Sequence, residues 1–330
     1  MFQTEINHFL QSLESEWLTL LMQYVSRMGY QPFYIAVLLT VIFGIDTRRG
    51  LWVLQVLMWV GIMTTFLKEV IALPRPLDVD NTLKFMGTNY NPTNTLFSGR
   101  GAESFWAMLP SDVIAYYQEN RLQSFGFPSG HVSGAVAFFG GLALAFPLPA
   151  VRIIAVIVCL LMPISRLYLG VHFLADVTGG FLLGCIGLAA LQVWMRSISK
   201  GKYRTPANIN LFQLSWWFIL PTILLFIPHM NKELLVILLA CNTFYLTFTL
   251  LGNPMPNGGF LRRSFSVAIA LTCFIGFSVL ANNILLLLNV TDENFQQPII
   301  RFAEFAIALI VALYVNFRMR LMRPEIKTTT

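Results

Sequence analysis

The stretch FPSGHVSGAVAFFGG, residues 127–141, sets the problem for the whole chain. Its second half is small and apolar, and the apolar run continues to about residue 146. Such a run reads as a helix in lipid. Its first half holds Pro128, Ser129, Gly130 and His131. A membrane helix gains nothing from a histidine at its mouth, so His131 and the Ser-Gly before it ask for a chemical reason.

Working outward, the same texture fills the chain. It has 330 residues, 56% hydrophobic and only 12% charged, with a mean hydropathy of +0.66. A soluble domain carries about 25% charged residues. Apolar blocks fall near 29–45, 51–73, 129–146, 151–167, 173–195, 211–228, 234–251, 265–288 and 299–317. Lipid cannot satisfy an open backbone, so each block is expected to be a helix. The expected fold is an all-α polytopic membrane bundle of about nine transmembrane helices. Residues 77–127 are polar and rich in Asn, Gly, Pro and Ser, and read as an extramembrane loop; GAESFWAML (101–109) within it is expected to form a short helix on the bilayer. The first 28 residues read as an amphipathic helix on the membrane surface rather than a signal peptide, because they lack a basic start and a small-residue cleavage site. Cys159, Cys185, Cys241 and Cys273 sit inside apolar runs without CxxC spacing and read as small hydrophobes.

Charge gives direction. Of 22 Lys and Arg, thirteen fall in one set of short loops: Arg48, Arg49, Arg152, Arg196, Lys200, Lys202, Arg204, Arg262, Arg263, Arg318, Arg320, Arg323 and Lys327. That set is expected to be cytoplasmic, which puts loop 77–127 outside. The net charge of +6 is therefore a topology signal and not a nucleic-acid footprint.

Three clusters resist that pattern. In KEVIALPRP, Lys68 and Arg75 are seven apart, so on one continuous helix they would share a face, with Pro74 and Pro76 ending it. In PSGH, Pro128 suits a first helical turn, and the N–H groups at a helix start with Ser129 and Gly130 suit an anion. In SRLYLGVHFLAD, Arg166 and His172 are six apart, about 240° around a helix, so Gly170 is expected to break it. His172 would then open the next helix with Asp176 one turn on, its tautomer fixed by the carboxylate. Plain capping, snorkelling or a structural His–Asp pair would explain each cluster alone. Together they offer three cations, a helix start and two histidines, with no Cys, His or carboxylate set at metal-ligand spacing. That combination suits metal-free phosphoryl transfer, one histidine attacking and the other protonating the leaving oxygen. The residues alone do not say which histidine attacks.

The three blocks resemble the signature of the type 2 phosphatidic acid phosphatase superfamily: Lys-x6-Arg-Pro, Pro-Ser-Gly-His and Ser-Arg-x5-His-x3-Asp. Lys68, Arg75, Pro76, Pro128, Ser129, Gly130, His131, Ser165, Arg166, His172 and Asp176 match it in order. The resemblance covers about residues 50–195 and leaves the last four apolar blocks aside. It implies that His172 is the nucleophile that forms a phosphohistidine, that Asp176 orients it, and that His131 is the general acid and later the base. It implies that Lys68, Arg75, Ser129, Gly130 and Arg166 bind phosphate. The expected organisation is an amphipathic segment over 1–28, a phosphatase core over 29–195, and a transmembrane extension over 196–330.

That family includes lipid phosphatases, undecaprenyl-diphosphate phosphatases, sphingosine-1-phosphate phosphatases, glucose-6-phosphatases and soluble haloperoxidases. Loop 77–127 looks like the loop that roofs the site in bacterial lipid phosphatases. The expected protein is thus an integral-membrane, metal-independent phosphatase of a lipid phosphate or diphosphate. It would need no cofactor, and its partners would be the phosphorylated lipid and membrane lipids. Its expected place is a bacterial inner membrane with a periplasmic site, or an endoplasmic-reticulum membrane with a lumenal site. A phosphatase of a soluble ester, a phosphotransferase, and a non-enzymatic transporter or receptor of phosphorylated lipids stand as alternatives.

Overall fold

The computed structural model describes residues 1–87, 95–120, 125–198, 214–289 and 296–324, side chains 191, 194–198 and 296 excepted. Lys200, Lys202, Arg204 and Lys327 lie outside the described residues, as does the Arg196 side chain.

The described residues are mostly helical and form two compact units. The first holds Met1–Tyr34 and Trp59–Gln192, and the second holds Ile35–Met58 and Val193–Thr330. In order, the helices are α1 (Glu5–Ser12), α2 (Glu16–Arg27), α3 (Gln31–Thr40, continued by a π-turn Val41–Ile45), α4 (Thr47–Ile71) and α5 (Pro76–Val79). Then come α6 (Ser111–Asn120), α7 (Gly130–Ala145), α8 (Pro149–Tyr168) and α9 (Leu174–Ile198). The rest are α10 (Leu220–Leu224, preceded by a π-turn Ser215–Ile219), α11 (Lys232–Leu250), α12 (Phe260–Leu287) and α13 (Gln296–Arg318). A two-residue ladder pairs β1 (Met255–Pro256) antiparallel with β2 (Met322–Arg323).

Among the described residues, five helical segments are long and apolar enough to cross a membrane: Thr47–Val79, Pro149–Tyr168, Lys232–Leu250, Phe260–Leu287 and Gln297–Arg318. The pair α2–α3, bent by 60°, makes a sixth if it is one span. Gly130–Ala145, Leu174–Ala190 and Ser215–Leu224 are shorter apolar helices. Every apolar block therefore carries a helix, but nine crossings are not established. The chain is an integral membrane protein by these helices.

In α8 the periodicity is plain. Ala155, Val158, Met162, Ser165 and Arg166 are buried, while Ile153, Ile154, Val156, Ile157, Leu160 and Ile164 are exposed. A side of bare isoleucine and leucine suits lipid rather than water. Helix α7 is instead buried nearly all round, from Val132 to Phe139. Small residues let it meet α9 closely: a Cβ on Gly180 would lie 2.5 Å from the Ser129 carbonyl oxygen, and one on Gly184 2.6 Å from Val136 Cβ. The Gly-x3-Gly spacing makes this approach possible, and it fixes the start of α7 against the start of α9.

Two expectations fail here. GAESFWAML is not helical; α6 follows it. Asp112 favours the first turn of α6, and Val113 and Tyr117, four apart, bury one face. Pro128 is not in a first helical turn either: Ser129 is the N-cap and Gly130 the first helical residue.

Candidate active site

The site is built where α4, α7, α8 and α9 end or begin. Helix α4 stops at Ile71, and Ala72 takes a left-handed φ of 50°. Arg75 then caps the separate helix α5, its N–H held by Asp78 at 2.8 Å. Lys68 and Arg75 thus do not share a face of one helix, as the seven-residue spacing predicts. The helix ends before the second turn is complete, at the left-handed Ala72, and Pro76 opens a new one. Lys68 Nζ donates to the carbonyls of Phe125 and Gly126 at 2.7 and 2.9 Å, and Arg75 Nη1 donates to that of Val171 at 3.1 Å. Each cation therefore also fastens the strand of chain that leads into the next motif.

At α7 the N-cap Ser129 is fully buried, and its N–H donates to the Asp176 carbonyl at 2.9 Å. That amide is spent, so the anion-facing N–H groups of this helix start are those of the first turn, from Gly130 on.

At the end of α8 the expected break is present. Gly170 has φ +78°, and a Cβ there would meet the Lys84 carbonyl oxygen at 2.8 Å and Gln11 Nε2 at 2.9 Å. Only glycine fits both constraints. His172 does not open α9, which begins at Leu174. Its contact with Asp176 is nevertheless made: His172 Nδ1 lies 3.1 Å from Asp176 Oδ2, with both side chains buried. The same oxygen accepts the Phe173 N–H at 2.9 Å. Asp176 is thus the third-position acid of a helix cap, which places it better than a helical face would.

The separate motifs converge. His172 lies within electrostatic reach of Arg75, Lys68, Arg166 and His131. His131 lies within reach of Arg166, Arg75 and Lys68, and Lys68 within reach of Arg75, Asp176 and Arg166. Ser129 Oγ, His131 Nε2 and Arg166 Nε are buried without a hydrogen-bond partner. Buried polar atoms are rarely left so, and three in one place mark a site for a polar ligand. Among the described residues, no group of three or more His, Cys, Asp or Glu could hold a metal ion.

The sequence reading missed the amino-terminal contribution. Asn7 Nδ2 donates to the carbonyls of Leu167 and His172 at 2.9 and 3.0 Å. Gln11 Nε2 donates to those of Lys84 and Tyr168 at 2.8 and 3.2 Å. Ser26 Oγ accepts from Arg166 Nη1 at 2.6 Å. The Tyr30 ring meets the His131 ring edge-on, centroids 4.6 Å apart. His8 Nε2 and Asp80 Oδ2 lie 3.0 Å apart. Burial alone would raise the Asp80 carboxyl, but hydrogen bonds from Thr82 and His8 outweigh it and hold its pKa at about 2.

Residues 49–200 match the PAP2 superfamily. That match spans just under half of the chain and takes in all three motifs. Phosphatidylglycerophosphatase B of Bacillus subtilis (strain 168) is 46% identical over 72 residues, 19% of this chain and 36% of that relative. The match thus spans about a third of the relative's length. A crystal structure of a transmembrane PAP2-type phosphatidylglycerolphosphate phosphatase from Bacillus subtilis covers 60% of this chain and 87% of its own, at 24% identity and a TM-score of 0.42.

Proposed function

We propose that this chain is an integral-membrane phosphatase that hydrolyses a lipid phosphate or diphosphate through a phosphohistidine. The observation that carries the reading is the convergence of Lys68, Arg75 and Arg166 on two histidines, one of them backed by a buried carboxylate. A relative named for phosphatidylglycerophosphate supports the lipid.

In this mechanism Asp176 accepts the His172 Nδ1–H and fixes the tautomer, leaving Nε2 to attack phosphorus. Two of the three Lys68 N–H bonds go to carbonyls, so one is left for a phosphate oxygen. Arg75, Arg166, Ser129 Oγ and the first-turn N–H of Gly130 take the remaining charge as it spreads over the equatorial oxygens. The bond from phosphorus to the alkoxide oxygen breaks, and that oxygen takes a proton from His131. Neutral His131 then takes a proton from the water that attacks the phosphohistidine, and phosphate leaves. Cations and amides do here what a metal would do elsewhere, so turnover should persist in excess EDTA.

The test is phosphate release by purified protein from lipid phosphates, lipid diphosphates and sugar phosphates, with and without chelator. Release from lipid substrates in EDTA is expected. Loss in chelator and recovery with magnesium would overturn the mechanism, and turnover confined to sugar phosphates would move the substrate class. Sidedness is a separate test: a cysteine at Ser98, which is exposed, should react with an impermeant thiol reagent in intact cells, whereas one at Gly259, which has open space around it, should not. The reverse pattern would put the site on the cytoplasmic side.

A further inference from the structure

Helix α1 is inside out. Its buried side chains are Asn7 and Gln11, while Phe9 is exposed; α2 exposes Trp17, Leu20 and Tyr24 and buries Met22 and Val25 beside Ser26. A surface helix in water would show the opposite arrangement. Its polar side is turned to the loop that joins Arg166 to His172, where Asn7 holds the carbonyls of Leu167 and His172. The bend between α2 and α3 goes further and touches the functional side chains themselves. Ser26 is buried and accepts from Arg166 Nη1, leaving Arg166 Nε unpartnered. Tyr30 interacts with Arg166 and also sets its ring perpendicular, at 88°, to that of His131. Gly29 lets the chain pass against that same imidazole: a Cβ would lie 2.5 Å from His131 Cδ2 and 3.0 Å from Cγ. Residues 26–30 lie outside the superfamily match at 49–200.

We propose that this bend is a positioning element of the active site, with Ser26 orienting the phosphate-binding guanidinium of Arg166 and Tyr30, seated by Gly29, fixing the imidazole of His131. The inference rests on the phosphatase reading above. Its physical basis is that neither group is held firmly by its own helix. His131 stands in a first turn, and its Nε2 has no partner. Arg166 stands in the last turn of α8 and carries a long, rotatable side chain. A general acid displaced by about 1 Å loses on the order of 10²-fold. The wall that holds the ring therefore bears on rate although it never touches phosphorus.

The test uses the full chain and two substrates with different leaving groups, phosphatidic acid in detergent micelles and 4-nitrophenyl phosphate. Nitrophenolate leaves without a proton, so an imidazole held in the wrong place matters only for the alkyl phosphate. Tyr30→Ala should lower kcat on phosphatidic acid by about 10-fold or more while sparing 4-nitrophenyl phosphate. Gly29→Ala should do the same through its clash with the ring. Tyr30→Phe keeps the ring contact and loses the hydroxyl near Arg166. It should hold the ratio between the two substrates at the wild-type value and raise KM on both. Ser26→Ala should likewise raise KM more than it lowers kcat. His172→Ala is the control for the reading itself: if it stays active, the phosphatase mechanism fails and not only the positioning role. If it is inactive while Tyr30→Ala and Gly29→Ala slow both substrates equally, or neither, the positioning role is overturned. Should Tyr30→Ala not give folded protein, the substrate ratios of Gly29→Ala and Tyr30→Phe decide.

Discussion

Both units bury polar groups among apolar helices, and they balance them in different ways. In the unit of Ile35–Met58 and Val193–Thr330, buried Glu304 is held by Arg301 Nη1 at 2.6 Å and by Ser278 Oγ, and Arg301 Nε lies 3.4 Å from Glu233. Gln55 donates to Asn242 and Asn242 to the Trp217 carbonyl, each at 2.6 Å. Charge there meets opposite charge. In the other unit Lys68, Arg75 and Arg166 gather near Asp176, which His172 and the Phe173 amide already engage, while Asp78 holds the Arg75 N–H. Like charges gathered at membrane depth are costly, and in the proposed mechanism a bound phosphate offsets them. Paired burial thus reads as architecture, and a cluster of like-charged side chains as the place for the proposed phosphate.

The largest effect that can break this contrast comes from His172→Ala set against Glu304→Gln. Loss of the nucleophile should cost at least about 10⁴-fold in kcat, the scale of nucleophile removals elsewhere, and no labelled phosphate should be trapped covalently. Glu304→Gln should keep the wild-type kcat but melt at a lower temperature. Removing one partner of a buried pair costs about 3–5 kcal/mol, and its hydrogen bond from Ser278 only partly offsets that. If Glu304→Gln slows chemistry at an unchanged melting temperature, the second unit carries more than architecture.

A smaller effect sharpens the same contrast between two arginines. Arg166→Ala should lower kcat/KM by about 10–150-fold, as expected for charge-assisted hydrogen bonds of about 1.5–3 kcal/mol. Arg166→Lys should not restore it, because an ammonium lacks the planar fork that reaches Ser26 and a phosphate at once. Without phosphate Arg166→Ala should not be less heat-stable than the wild type, since one of three like charges is gone. Arg301→Ala should show the reverse, a lower melting temperature at full kcat/KM. Equal losses of stability in both variants would mean that Arg166 is mainly a structural cation.

The part of this site that sequence makes legible is the part written in charge and spacing. Lys68, Arg75, His131, Arg166, His172 and Asp176 stand out because ionisable residues are rare in apolar runs. The Gly170 break follows from simple helical geometry. Geometry misled where a helix does not continue: the seven-residue step from Lys68 to Arg75 crosses the left-handed turn at Ala72. His172 meets Asp176 through a cap rather than a helical face, a contact that the four-residue spacing allows in both forms. The amino-terminal arm stayed hidden for a different reason. Amphipathicity tells that a helix has two faces but not which one is buried, and in lipid the polar face of α1 turns inward. Asn7, Ser26 and Tyr30 carry no charge and no motif, so only their contacts reveal them. Residue length limited the count of crossings, because α7 and the π-turn segment before α10 are apolar but short.

The smallest expected effect concerns acid, and it tests how the arm is fastened. Asp80 joins loop 77–127 to α1 through His8, and the Thr82 N–H braces its carboxylate. Its carboxyl titrates at about 2 when folded, against about 3.9 in an unfolded chain. A depressed carboxyl contributes stability that is complete above the unfolded value and is lost as pH falls through the folded one. Between pH 5 and 8 this group should therefore leave the melting temperature unchanged, whereas from about pH 4 down to about 2 its contribution should fade. Asp80→Asn removes the charge at every pH. It should melt a few degrees below the wild type at pH 7, and the gap should close toward pH 2. His8→Ala, which removes one of the hydrogen bonds, should give a smaller gap with the same shape. A gap that is constant with pH would mean that Asp80 acts by packing alone, and that the arm is held instead by the neutral contacts of Asn7 and Gln11.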